Sequence, residues 1–192
     1  MAIVINGSGT VTGLSVGGLP DGTVDSDTLA TNSVTADALK DDAIATGDLP
    51  TGSVLQAVSQ SSSILETSST SYADMYSATI TPSSTSSKIL VMVTNHIYIT
   101  NYSTDTWRGC MIKLLRDTTT IHDDGSYGES AYFEHNDDRL MAYSSFQLLD
   151  SPATTSAITY KLQGRSKAST NVVFNNTSYG GGGAITLMEI AG

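Results

Sequence analysis

A five-residue spacing of aliphatic side chains runs through residues 14–54 and limits what this part of the chain can form. The aliphatic residues in the series are Leu14, Leu19, Val24, Leu29, Val34, Leu39, Ile44, Leu49 and Val54. Gly, Ser, Thr, Ala and Asp fill most of the positions between them. From Val24 onward a ten-residue unit repeats, in which a small residue precedes Val or Ile and Leu follows five positions later. A fixed period of this kind indicates a repetitive architecture.

Neither an α-helix nor a β-strand places residues five positions apart on one face. In a helix, five residues rotate the chain by about 500°, so the aliphatic positions drift around the axis. In a strand, an odd step moves the side chain to the opposite face. The chain must therefore turn within each unit, and isolated aliphatic residues are too few to form a core within one chain. We predict an intertwined homotrimeric shaft, in which equivalent residues of three chains meet near the axis.

Two other architectures share features with this repeat. Pentapeptide-repeat solenoids also carry Leu or Phe at every fifth position, but they favour Ala two places before it. Here those places are occupied by Gly22, Asp27, Asn32, Asp37, Asp42 and Gly47. A flexible acidic linker would show the same enrichment in Ser, Thr, Gly and Asp.

The pattern changes after residue 54, where short apolar runs are separated by clusters of Ser, Thr and Gly. Runs of this kind predict strands, here over residues 54–58, 72–81, 88–100, 107–116, 119–121, 139–149, 157–163, 171–174 and 184–190, with no helix. Two sheets must cover each other's apolar faces. The sequence therefore predicts an all-β protein, in which the intertwined trimeric stalk of residues 14–53 precedes a jelly-roll-like β-sandwich head over residues 54–192.

We interpret the first thirteen residues as a segment that docks the protein to a partner. A short apolar run and a later valine supply the expected docking residues, Ile3, Val4, Ile5 and Val11. Such a strand can add to a partner's sheet or pack in a socket on the partner. The segment lacks the basic flank of a signal peptide, and no apolar run approaches the ~20 residues that span a bilayer. We therefore expect synthesis in a cytoplasm and no membrane insertion.

Charge and cysteine content narrow the classes of partner. The formal net charge is −10 and no basic run occurs, so we expect no binding to nucleic acid. Cys110 is the only cysteine and lies in an apolar run, which predicts a buried thiol and excludes an internal disulfide.

Two clusters carry residues with metal-binding chemistry. One contains His122, Asp123 and Asp124, and the other contains His135, Asp137 and Asp138. A divalent cation could bind at either, but neither has the spacing of an EF-hand or a zinc site. We interpret both as solvated loops between strands, with no metal and no cofactor.

No catalytic residues emerge from the sequence. No Gly-x-Ser-x-Gly motif is present, and Ser is so abundant that a grouping with His and Asp is uninformative. A glycan-cleaving spike would need paired carboxylates on a long β-helix, which this chain is too short to form. The glycines at positions 180–183 lack the Lys and Ser or Thr of a phosphate loop and read as a flexible turn. We expect no enzyme activity.

Four stretches carry a resemblance to a known class of protein. They are residues 1–12, the repeat itself, and residues 72–93, which include Ala-Thr-Ile-Thr-Pro-Ser-Ser-Thr-Ser-Ser-Lys-Ile-Leu-Val at positions 78–91; the ending at 185–192 adds to them. These resemble fibre proteins of tailed bacteriophages, especially marine and cyanobacterial ones. The resemblance implies a homotrimeric appendage on the virion surface, attached by its N-terminus and bearing a C-terminal β head. The chain is shorter than long tail fibres, and we see no large N-terminal docking domain of the kind found in podovirus tail fibres, so the resemblance leaves open whether the tail or the capsid is the attachment point.

Recognition of the host surface is the leading functional hypothesis. Tips of trimeric heads bind glycans through aromatic and polar side chains on loops. The candidates here are Tyr102, Trp107, Tyr127, Tyr132 and Tyr179, although each could instead pack between subunits. We expect the partners to be a second virion protein and a host glycan or protein. The alternative is a capsid decoration or cement protein, and a bacterial adhesin is disfavoured because no export signal is present.

Overall fold

A computed structural model describes residues 44–100, 108–123, 131–133 and 139–192 of the protein. The chain divides into two units, Met1–Ile44 and Ala45–Gly192, and the described residues belong almost entirely to the second. The expected docking residues and the first six aliphatic positions of the predicted shaft lie outside the described residues. The docking segment and the trimeric shaft therefore remain predictions.

The described residues form strands with no α-helix among them. Eleven strands are present: β1 Val54–Ser61, β2 Leu65–Thr67, β3 Ala73–Ile80, β4 Lys88–Thr100, β5 Arg108–Arg116, β6 Thr119–Asp123, β7 Ala131–Phe133, β8 Arg139–Asp150, β9 Ile158–Ser166, β10 Val172–Phe174 and β11 Ala184–Ile190. Short 3₁₀ helices cover Thr46–Asp48 and Thr177–Tyr179. The all-β prediction for this part is confirmed. The sequence patterns did not predict β2 and β7, because three residues are too few to show alternation.

The strands form two antiparallel sheets with nested pairing. The six-stranded sheet has the order β1-β11-β4-β10-β2, with β8 on the free side of β4. The five-stranded sheet has the order β3-β9-β5-β6, with β7 also on β5. In chain order the first strand pairs with the last, β3 with β9, β4 with β8 and β5 with β6. This nesting is a long hairpin rolled into two sheets, which agrees with the predicted jelly-roll-like sandwich.

The core lies between the two sheets and is built by alternation along the long strands. Ile89, Val91 and Val93 of β4 point inward and are at most 2% exposed. Leu187 of β11 and Leu162 of β9 are fully buried in the same cluster. Burying each aliphatic side chain of this size stabilises the folded state by about 1.5–3 kcal/mol. Cys110 is also buried, as predicted.

One end of the sandwich is held by an ion pair that joins the sheets. Arg116 of β5 donates two hydrogen bonds of 2.9 Å to the carboxylate of Asp150 at the end of β8. The Tyr160 hydroxyl on β9 donates a further hydrogen bond of 2.7 Å to the same carboxylate. Burial raises the pKa of Tyr160, and the neighbouring Asp150 adds to this effect, so the hydroxyl stays protonated and acts as a donor.

A second inter-strand contact surrounds a buried carboxylate on β11. Glu189 is 0% exposed and accepts a hydrogen bond of 2.5 Å from the Gln56 side chain on β1. The backbone N–H and the hydroxyl of Ser83 also donate to it, at 2.7 and 2.6 Å. Burial alone would raise the pKa of Glu189, but these hydrogen bonds outweigh it and hold the pKa below its usual value. The carboxylate therefore fixes both β1 and the loop after β3 to the last strand.

No helix in the described part of the chain is long and apolar enough to cross a membrane.

Candidate functional site

The structure does not describe the side chains of the five aromatic residues predicted for the binding tip. Tyr102, Trp107 and Tyr127 lie outside the described residues. The backbone of Tyr132 lies in β7, opposite Gly109, which corrects its assignment to a loop. Tyr179 ends the 3₁₀ helix Thr177–Tyr179. The binding role of these five residues remains a prediction.

Two of the three residues in the first candidate metal cluster belong to a strand and not to a solvated loop, which corrects the sequence interpretation for those two. His122 and Asp123 are part of β6. The His122 ring stacks on Phe146 of the other sheet, with ring centroids 4.4 Å apart, and Asp123 accepts a hydrogen bond of 2.9 Å from the Tyr72 hydroxyl. No group of three metal-ligating side chains occurs among the described residues. Asp124, His135, Asp137 and Asp138 lie outside them.

The outer face of the five-stranded sheet is charged and internally paired. Lys161 of β9 forms an ion pair of 3.0 Å with Asp74 of β3, and Gln163 donates a hydrogen bond of 2.6 Å to the same carboxylate. Nearby, Lys113 Nζ lies 4.2 Å from the centre of the Tyr72 ring, and Arg165 Cζ lies 5.1 Å from it. Since these cations engage the Tyr72 ring, it does not offer a free platform for a sugar.

The outer face of the six-stranded sheet has the opposite character. We define the neutral face as the outward positions of β1, β4, β8 and β11 that lie between the first and last residues of each strand, and these positions alternate with the core positions in a shared register. These positions are Ala57, Ser59, Leu90, Met92, Thr94, His96, Tyr98, Met141, Tyr143, Ser145, Gln147, Leu149, Thr186 and Met188. None of them is Asp, Glu, Lys or Arg. Lys88 at the start of β4 and Arg139 at the start of β8 hold outward register positions at the two ends of this face, so it is uncharged only between them.

Strand β8 forms one edge of the neutral face. It has 12 residues and, within the described ranges, pairs with β4 alone. Its ten residues from Leu140 to Leu149 carry no charge. Met141 is 52% exposed, Tyr143 is 65% exposed and Leu149 is 53% exposed. A long edge with unpaired backbone groups and exposed apolar side chains is a template for pairing with another chain.

A buried polar cluster lies in the middle of the six-stranded sheet. The Tyr76 hydroxyl, on the opposite sheet, donates to Asn95 Oδ1 at 2.7 Å and also lies 3.0 Å from the Thr94 carbonyl. Asn175 Oδ1 accepts a hydrogen bond of 3.1 Å from the His96 backbone N–H. The Asn175 N–H donates to the His96 carbonyl at 2.7 Å. These contacts attach the end of β10 to the centre of β4.

His96 belongs to the neutral face but is only 2% exposed. The Tyr143 ring covers it edge-on, with centroids 5.2 Å apart. Gly181 packs so closely against the imidazole that a Cβ at that position would collide with it. Burial lowers the pKa of His96, and its Nδ1 has no hydrogen-bond partner among the described residues. The imidazole is therefore held neutral beneath the loop that joins β10 to β11.

That loop is more constrained than the predicted flexible turn. Asn175 adopts φ +57°, and Gly180 ends the 3₁₀ helix with φ +71°. The Asn176 side chain caps the helix by accepting a hydrogen bond of 3.0 Å from Ser178 N–H. A Cβ on Gly183 would collide with the Thr94 carbonyl and with Asn175. Glycine is required here for close packing against β4 as well as for turning.

Three members of the five-residue series fall within the described residues. Ile44 is 52% exposed, Leu49 is 36% exposed and Val54 is 54% exposed. Large aliphatic side chains at consecutive positions of the series thus remain accessible in a single chain.

No protein-family model matches this sequence, and no curated protein is similar to it. Among solved structures, a chain from "Structure of infectious bursal disease virus Gx strain" matches with TM-score 0.44 and 9% identity, covering 73% of this chain and 34% of that chain. A chain from "Crystal structure of infectious bursal disease virus VP2 subviral particle" matches with TM-score 0.38 and 10% identity, covering 73% and 38%. The protein thus spans about a third of the length of the chains it matches. Similarity at this level does not establish a family or a function.

Sequence reasoning missed the neutral face and the His96 cluster. The sequence signal for the uncharged surface of β8 was a ten-residue stretch without charge, which lies between Arg139 and Asp150. Its meaning depended on which side of β8 faces the core and which edge is left unpaired. Asn95 interrupts the alternation of apolar residues along β4, yet its side chain is fully buried.

Proposed function

We propose that this chain is the subunit of a homotrimeric bacteriophage fibre on the virion surface. Residues 1–13 dock it to another virion protein, and the jelly-roll head binds a host-surface glycan. The protein acts by binding and not by catalysis. The alternative is a capsid decoration protein, in which contact with the virion shell is the main role.

One observation carries the proposal. A repeat of isolated aliphatic residues leads directly into an all-β head, and the last three members of that repeat are left exposed in a single chain. Exposed apolar side chains at a fixed spacing are stabilised when equivalent residues of neighbouring chains cover them. The resemblance of the N-terminal segment, the repeat and residues 78–91 to phage fibre proteins supports the same assignment.

The native mass of the purified full-length protein tests the trimer. Light scattering coupled to size exclusion should give three times the 20.1 kDa chain mass. A matched pair of variants would link the mass to the repeat. Leu29→Asp and Leu39→Asp together should dissociate the trimer, whereas Thr28→Asp and Thr35→Asp, between the aliphatic positions, should not. A monomeric mass for the wild type would refute the homotrimer.

Adsorption competition tests host recognition. Host cells are incubated with purified trimer before the phage that encodes it is added, with heat-denatured protein as the control. A dose-dependent drop in phage adsorption would support recognition by this chain. Alanine variants of Tyr102, Trp107, Tyr127, Tyr132 and Tyr179 would then locate the binding residues.

An absence of competition at saturating protein would favour the decoration alternative. Immunogold labelling of the virion would then distinguish many copies on the capsid lattice from a few copies at the tail.

A further inference from the structure

We propose that His96 acts as a pH-sensitive switch, which holds residues 176–182 against β4 at neutral pH and releases them when its imidazole becomes protonated. The segment lies between β10 and β11 and includes the 3₁₀ helix Thr177–Tyr179. The switch does not depend on the proposed function, because it concerns how the head responds to acid. Since the segment includes Tyr179, its release would also move one of the predicted binding residues.

The two ends of the segment are fixed to the head by hydrogen bonds. At one end, Asn175 shares two hydrogen bonds with the His96 backbone, of 2.7 and 3.1 Å. At the other end, Gly183 shares two hydrogen bonds with Ser62, both of 2.9 Å. None of these four bonds uses the imidazole of His96. Residues 176–182 can therefore leave β4 while both ends stay attached.

The middle of the segment closes on itself and packs on the imidazole. The Gly181 N–H donates to the Asn176 carbonyl at 2.9 Å, and the Gly180 N–H donates to the Thr177 carbonyl at 3.2 Å. Gly181 also lies against the His96 ring, so closely that no Cβ would fit there. A single 3₁₀ turn is not stable in isolation. Contact with the ring therefore helps to hold the turn in place.

The site around the imidazole suits its neutral form. His96 is 2% exposed, and its Nδ1 has no hydrogen-bond partner among the described residues. Gly181 lies against Nδ1, and the Tyr143 ring covers the imidazole edge-on. An imidazolium carries a proton on both nitrogens, so Nδ1 would become a buried donor without an acceptor. Burial lowers the pKa of His96 in agreement with this arrangement.

The strands and the segment around His96 carry no charged residue that could stabilise the imidazolium. They comprise positions 90–99, 140–149 and 172–187, which contain no Asp, Glu, Lys or Arg. The other titratable residues at these positions are Tyr98, Tyr143 and Tyr179. A neutral tyrosine hydroxyl does not supply the negative charge that favours a protonated histidine.

The carboxylates on the neighbouring strands are engaged elsewhere. Glu66 of β2 lies two strands from β4, is exposed, and accepts a hydrogen bond of 2.7 Å from Asn171. Glu189 of β11 is buried on the core side and accepts hydrogen bonds from β1 and from the loop after β3. Among the described residues, no counter-charge therefore holds a protonated His96 in the closed state. Water solvates the imidazolium once the segment opens, so protonation favours release.

Hydrogen exchange in the full-length protein measures the release. An exposed imidazole titrates near pH 6.5, so the population of the open segment should rise about 25-fold between pH 7 and pH 5. After correction for the intrinsic pH dependence of exchange, the protection of the Gly180 and Gly181 amides should fall by the same factor. Their protection should also stay below that of the β9 amides at both pH values, because the segment opens without unfolding the head.

Two histidine variants assign the effect to His96. In His96→Gln the protection of the segment should change by less than about twofold between the two pH values, whereas His122→Gln should keep the wild-type response. A wild-type change below about fivefold would overturn the switch, as would protection equal to that of β9, which indicates release only on global unfolding. A full response that persists in His96→Gln would also overturn it. The wild-type measurement needs no variant, so it decides even where His96→Gln does not fold.

Discussion

The hydroxyl of Tyr76 lies 2.7 Å from Asn95 Oδ1 and thereby joins the two sheets of the head through a buried hydrogen bond. Tyr76 belongs to β3 and Asn95 to β4, which lie in different sheets. Asn95 is 0% exposed and interrupts the apolar inner face of β4. Burial raises the pKa of Tyr76 above its usual value, which favours the protonated hydroxyl as a donor.

Removing this hydroxyl should destabilise the head. We expect Tyr76→Phe to lower the free energy of unfolding by about 1–3 kcal/mol, because Asn95 Oδ1 loses its short hydrogen bond in a buried site. Urea unfolding at fixed protein concentration measures the change. Tyr143→Phe is the control, because the Tyr143 hydroxyl is exposed and makes only a long contact of 3.5 Å with the Gly180 carbonyl. This substitution should change the free energy of unfolding by less than about 0.5 kcal/mol. Equal effects would contradict a special role for the Tyr76 contact.

Two adjacent glycines should respond differently to an added methyl group. Gly181→Ala places a Cβ against the His96 ring and the Asn176 carbonyl, whereas Gly182→Ala meets no atom within 4 Å. We expect Gly181→Ala to destabilise the protein by about 1–3 kcal/mol through overpacking. Gly182→Ala should be neutral within about 0.5 kcal/mol. Thermal unfolding of both variants measures the difference, and a neutral Gly181→Ala would refute close packing of the loop on His96.

His96 should make stability depend on pH in the mildly acidic range. Its folded-state pKa is lowered by burial, so its contribution is complete above the unfolded pKa of about 6.5 and is lost as pH falls through the folded value. The stability difference between wild type and His96→Gln should therefore shrink as pH falls from 7 to 5. An NMR titration of the His96 imidazole gives the direct measurement. A midpoint at or above about 6.5 would contradict the burial argument.

Glu189 should contribute stability that disappears at lower pH. Because the hydrogen bonds from Gln56 and Ser83 hold its folded pKa below the usual value, its contribution is present above about pH 4.3 and is lost as pH falls through the folded pKa. We expect Glu189→Gln to cost about 2 kcal/mol at pH 7, where a charged acceptor is removed. The cost should decrease between pH 5 and 3.

A matched variant separates this effect from general acid sensitivity. Glu66 is exposed and accepts one hydrogen bond of 2.7 Å from Asn171, so Glu66→Gln should change stability by less than about 0.5 kcal/mol at either pH. A cost for Glu189→Gln that stays constant from pH 7 to pH 3 would contradict the assignment of a lowered pKa.

Alternation of apolar residues along the chain was enough to predict most of the strands. The predicted strand over residues 88–100 coincides with β4, Lys88–Thr100, because five inward aliphatic residues there leave no other way to bury one face. Cys110 was predicted to be buried for the same reason, since it lies within an apolar run. Short strands such as β7 were missed because pairing with a neighbour, and not local pattern, places them in a sheet.

The candidate site could not be predicted in the same way. Single residues such as Tyr102 and Trp107 were selected as aromatic residues near loops, which identifies a class of side chain but not a surface. His122 and Asp123 were interpreted as a solvated loop because their pattern is polar, yet His122 stacks on Phe146 from the other sheet. Contacts between residues distant in sequence determine such placements.

The sequence by itself determined the all-β class of the described residues and the positions of the long strands, since both follow from local periodicity. Tertiary structure alone decided that β8 pairs with β4 alone among the described residues, that uncharged outward residues of four strands lie side by side between Lys88 and Arg139, and that Tyr76 and Asn95 meet. The physical reason is that strand order and register are non-local properties. They depend on how the rolled hairpin pairs strands such as β1 and β11, which lie at opposite ends of the head sequence.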